Sequence, residues 1–183
     1  MHRVAGLAWV QPWVKVATPH LSPGLPKSPY ADQPESPVRG LTAQEVDDLL
    51  QGRGAGLARM AELNSYPGPR HVLDLREELA LSPAQEQVIQ GVFAEMQTQA
   101  QTLGKAIVEQ EQAVSQVFAT AAITPEQLHQ QIQEIAQLYG ELRAVHLQAH
   151  LEITPILSAT QIARYDQLRG YADNASRVPH QHH

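Results

Sequence analysis

Apolar residues between positions 89 and 156 fall into two series that step alternately by four and three. The first runs Ile89, Phe93, Met96, Ala100, Leu103 and Ile107, passes through the polar Gln110, and continues as Val114, Val117 and Ala121. The second runs Leu128, Ile132, Ile135, Tyr139, Leu142, His146, Ala149, Ile153 and Ile156. This spacing lays a narrow apolar stripe along one side of a helix, the seam of helices packed as in a coiled coil. The link "TAAITP" (120–125) is short, so the pattern predicts an all-α protein built on a long antiparallel helical hairpin. Gln110 is expected to set register in that seam.

Four helix starts are marked by one recurring pattern: "LTAQE" at 41–45, "LSPAQ" at 81–85, "ITPEQ" at 123–127 and "LSATQ" at 157–161. In each, the hydroxyl of Thr42, Ser82, Thr124 or Ser158 can accept from an orphan N–H of the first helical turn. Glu45, Gln85, Gln127 and Gln161, three residues on, can reach back to the cap. Pro83 and Pro125 stand at the first helical position, where a missing N–H costs nothing. A shorter helix is expected from about Thr42 to Leu63, weakened by Gly52, Gly54 and Gly56 at up to about 1 kcal/mol each, with a kink or hinge at these glycines. "NSYPGP" (64–69) reads as a turn, residues 70–79 as a short helix, and residues from Ala159 to about Leu168 as a last one.

Composition changes the picture at the ends. Seven of the 13 prolines lie in the first 40 residues, which predicts an extended segment there without a core. Within it, "VAGLAWVQPWVKVA" (4–17) has the look of an atypical export signal, interrupted by Gln11, Pro12 and Lys15. The folded domain is expected over 41–171, followed by a flexible histidine-containing tail at 172–183. The net charge of −6 leaves no electrostatic footprint for nucleic acid. The absence of cysteine excludes disulfides, thiolate metal sites and cysteine nucleophiles. No apolar run approaches the roughly 20 residues of a membrane-spanning helix. No nucleophile with a base and an orienting acid is visible, so no catalytic role is expected.

The remaining chemistry is histidine. His146 and His150, at i and i+4, share a helical face and suit two adjacent ligands on zinc, nickel or copper. Hairpin register sets His146 opposite Ala100, with His71, Glu95 and Met96 as the nearest residues to complete a metal site. The competing expectation is a semi-buried His146 bonded to Gln99 or water, with His150 on the surface. The tail residues His180, His182 and His183 could catch metal only weakly.

The motif Leu81-Ser82-Pro83-Ala84-Gln85, its copy Leu157-Ser158-Ala159-Thr160-Gln161 and a third copy at Ile123–Gln127 punctuate the hairpin. This arrangement resembles the LTxxQ-motif, Spy/CpxP-like family of bacterial periplasmic stress proteins, related to ZraP and to the CnrX-type heavy-metal sensors. The resemblance covers roughly residues 41–171. It implies a periplasmic protein with a hooked α-helical hairpin, assembled as a homodimer. Such a protein would act as an ATP-independent chaperone for unfolded clients, or modulate a signalling partner in the envelope stress response. The sensor branch implies a heavy-metal site, whose late His pair is similar to His146 and His150. The early pair of that site is matched only by His71, since position 75 is leucine. Over 81–172 acidic residues outnumber basic ones, unlike a basic client-binding cradle.

Overall fold

A computed structural model describes residues 36–171, together with Ser28 and Tyr30, which belong to a separate N-terminal unit. The possible export signal and the tail histidines lie outside the described residues. The described chain is mostly helical and contains no strand. Its elements are α1 (Ala43–Leu50), α2 (Arg59–Glu62), α3 (Pro69–Asp74), α4 (Pro83–Ala119), α5 (Pro125–Ile153), a 3-10 turn (Thr154–Ile156) and α6 (Ala159–Leu168). The two long helices, α4 and α5, pack against each other.

All four expected capping boxes form. Thr42, Ser82, Thr124 and Ser158 each accept from the backbone N–H three residues on, and the side chain of that residue accepts from the cap N–H. Two of the boxes do more than cap. The Gln85 amide donates to the Ile156 carbonyl at 2.8 Å and to Gln161 Oε1 at 3.0 Å. The Gln161 amide donates to the Leu79 carbonyl at 3.2 Å. The starts of α4 and α6 are therefore clasped together by their own capping residues, beside the end of α5. A glutamate at either position would keep the cap but lose the donors that make the clasp.

The expected helix from Thr42 to Leu63 is instead two pieces. α1 stops at Leu50, and helix resumes only at Arg59. Gly52 takes φ +65°, and even a methyl group there would stand 2.9 Å from the Gln97 carbonyl. This glycine therefore lets the chain leave α1 and press against α4. Three glycines in five residues made continuous helix costly, and tertiary packing turned that weakness into a crossing loop.

Buried apolar residues gather in two clusters. One joins Val38, Val46 and Leu49 to Ala100, Ile107, Val108 and Leu142, seating α1 on both long helices. The other joins Val72, Leu79, Ile89, Ile153, Leu157 and Tyr165, where α3, α4, α5 and α6 meet. Between the clusters, on α4 around Met96 and on α5 from His146 to His150, the apolar lining gives way to imidazole. The stretch from Gly52 to His71 passes over this gap. Towards the α4–α5 link the seam thins, leaving Phe118 and Ile132 exposed.

Candidate functional site

A cavity of about 540 Å³ opens in the gap, walled by His146 and His150 on α5, Phe93, Met96 and Gln97 on α4, and the crossing stretch from Gln51 to His71. His146 is only 4% exposed and His150 6% exposed, so the second of the pair is buried rather than at the surface. Glu62, 8% exposed, is the third buried polar side chain of the described residues. It lines the same cavity.

Glu62 is heavily engaged. Tyr165, fully buried on α6, donates its hydroxyl to Glu62 Oε2 at 2.6 Å. His71 Nδ1 stands 2.9 Å from Glu62 Oε1. Burial by itself would raise the Glu62 pKa, but the bonds from His71 and Tyr165 and the nearby His71 and His150 outweigh it. Its pKa lies below the ordinary glutamate value. Glu62 is therefore a carboxylate near neutral pH, and a carboxylate only accepts, so His71 Nδ1 must carry the proton of that bond.

The same reasoning fixes His150. Its Nδ1 lies 2.8 Å from the Tyr66 carbonyl, which can only accept, so Nδ1–H donates. In the neutral imidazole the lone pair is then on Nε2. The ring packs closely on Gly68: a methyl carbon there would stand 2.9 Å from His150 Cε1, 3.2 Å from His150 Nε2 and 2.7 Å from Glu62 Oε1. Gly68 keeps φ −87°, ordinary for any residue, so the site uses its missing side chain rather than its backbone freedom.

His146 sits one helical turn before His150 and packs its ring on Gly54, whose added methyl would lie 3.5 Å from Nδ1. Its Nε2 is buried and has no hydrogen-bond partner. Burial, reinforced by neighbouring His150, pushes the His146 pKa down, so the ring is neutral at pH 7. A partnerless buried nitrogen costs about 1–3 kcal/mol.

Of the residues expected to complete a metal site, the fold brings His71 and Met96 to the cavity with His146 and His150. It does not bring Glu95, which is exposed and accepts from Gln99 at 3.1 Å. Gln99 is thereby committed elsewhere and leaves His146 unsatisfied. The carboxylate of the site is Glu62, which the sequence reading passed over. Its spacing to His71 is nine residues, with a turn and two helix ends between, so no helical periodicity links them.

The donor set suits a borderline transition ion: imidazole Nε2 atoms, a carboxylate and a thioether nearby. His71 and His150 each have Nδ1–H bound to an oxygen, the outer bonding that orients metal-ligating histidines. Among the described residues, however, no group of three or more His, Cys, Asp or Glu side chains stands where it could hold a metal ion. Comparison with family models, with curated proteins and with solved structures returned no match.

Proposed function

We propose that the chain is a metal-responsive binding protein, a sensor or buffer for zinc, nickel or copper, built on a Spy/CpxP-like helical hairpin. The observation that carries this reading is the state of His150. Its Nδ1–H is tied to the Tyr66 carbonyl, which leaves the Nε2 lone pair of the neutral ring unused, and the ring and the Glu62 carboxylate pack together on Gly68. His146 adds a partnerless Nε2 one turn away, and His71 is oriented by Glu62. The ligands would be His146, His150, Glu62 and His71, with Met96 able to add a soft sulfur. The metal would supply a positive charge cross-linking α5 to the crossing stretch. The protein residues orient and desolvate it. In this reading there is no catalysis, and the resemblance supports a periplasmic homodimer.

Calorimetric titration with zinc, nickel and copper tests this. At least one should bind saturably, and His150→Ala should weaken it at least about tenfold. His146→Leu removes the orphan nitrogen and fills its place with hydrocarbon. It should lower metal affinity while leaving thermal stability equal or higher. If His146→Ala/His150→Ala binds each metal as tightly as the parent, the site is lost as a metal centre.

A second reading, as an ATP-independent chaperone or a modulator of a signalling partner, is supported by apolar side chains exposed on the long helices. Leu151 is 60% exposed, Phe118 56%, Val88 50% and Ile132 48%. These would meet unfolded clients or a second copy, with acidic groups around them rather than a basic cradle. A light-scattering assay of client aggregation without ATP decides it: suppression should weaken on Phe118→Ser/Ile132→Ser. No suppression at a stoichiometric ratio ends this reading.

A further inference from the structure

The cavity is larger than an ion requires. Its 540 Å³ falls in the range of small-molecule sites. Phe93 and Met96 of α4, with Pro69 and Leu63, give it apolar lining. Gly52, Gly54 and Gly56, which have no side chains to fill it, also line the cavity.

The rim has the opposite sign to the protein as a whole. Against a net charge of −6, three arginines, Arg53, Arg59 and Arg70, line this one cavity, and the only acid among the lining residues is Glu62. That acid is spent on Tyr165 and His71. Arg53 is also spent, bonded to Asp47 and Asp48. Arg59 makes no ion pair among the described residues, and Arg70 has only a 4.0 Å pairing with Asp74, both groups being exposed. Two exposed guanidinium groups without a close ion pair thus line a cavity that also has apolar walls.

We propose that the cavity binds a small amphipathic organic anion, a carboxylic acid with an apolar body. The carboxylate meets Arg59 and Arg70 at the rim, where charge-assisted paired hydrogen bonds recognise a planar carboxylate. The hydrocarbon lies over Phe93 and Met96. The inference does not rest on metal binding: it uses Arg59, Arg70, Phe93 and Met96, of which only Met96 is shared with the proposed ligand set.

The test uses the full chain with chelator present, so that metal plays no part. Octanoate, followed by titration calorimetry, should bind saturably at one site per chain. Octanol and octylamine, with the same body and the wrong head, should bind at least about tenfold more weakly. Inorganic phosphate, a head without a body, should not bind. Arg59→Gln/Arg70→Gln changes exposed side chains and should keep the parent's unfolding midpoint while losing about tenfold in octanoate affinity. The proposal is overturned if octanoate shows no saturable binding. It is equally overturned if octanol binds as tightly, or if the folded double variant binds octanoate as well as the parent.

Discussion

Gly104→Ala is expected to destabilise the fold by about 3 kcal/mol, because the new methyl has nowhere to go. It would stand 2.0 Å from the Leu49 carbonyl oxygen and 2.6 Å from the Leu49 carbonyl carbon. Both are backbone atoms at the end of α1, so no rotamer change can relieve the overlap. α1 would have to lift from α4, exposing Val46 and Leu49, which are now buried against Ala100, Ile107 and Val108. Alanine is the better helix former by up to about 1 kcal/mol, which offsets only part of this. Gly91 on the same helix is the control. Open space lies beyond its missing methyl, so Gly91→Ala should stabilise by up to about 1 kcal/mol. Urea unfolding of both variants checks the pair. If Gly104→Ala proves as stable as Gly91→Ala, the packing of α1 described above is wrong.

Tyr165→Phe is expected to cost about 1.5–3 kcal/mol, with an effect that depends on pH. The ring would still fill its buried position, so the loss is that of the hydroxyl bonded to Glu62 across 103 residues of chain. A mostly buried carboxylate would then keep only the His71 bond. The sign follows from linkage. The Glu62 pKa is lower folded than unfolded, so its contribution is fully present above about pH 4.3 and is lost as pH falls through the folded value. Without the Tyr165 hydroxyl the folded pKa rises, and the variant should differ most from the parent near neutral pH and converge with it in acid. His146 acts in the same direction from higher pH. Its folded pKa is depressed, so stability should begin to fall as pH drops below about 6.5, where the unfolded chain takes up a proton first. Thermal melts of parent and variant from pH 7 to pH 3 give both results. A difference independent of pH would show that Tyr165 does not support an ionised Glu62.

Much of the framework was legible because it is local. A capping box needs only two residues three apart, and all four starts read from the chain are formed. The long helices likewise follow from a period that repeats along each. Where several local costs added up, the reading went wrong: Gly52, Gly54 and Gly56 ended α1 rather than bending it. The reading of His150 as a surface residue also failed. Burial there comes from residues 66–68, which no periodicity on α5 could announce.

The amino-acid sequence alone determined where helices begin, which stripe each long helix buries, and that an imidazole sits in that stripe. Those properties are set by neighbours within one or two turns, through sterics, capping and side-chain period. Tertiary structure alone decided that Gln85 and Gln161 clasp each other, that Gly104 must be bare under Leu49, and that Glu62 rather than Glu95 is the carboxylate beside the histidines. Each of these joins residues far apart in the chain, through contacts that exist only once the crossing stretch has been laid over α4 and α5. The pair His146 and His150 was visible from the start; the cavity it lines was not.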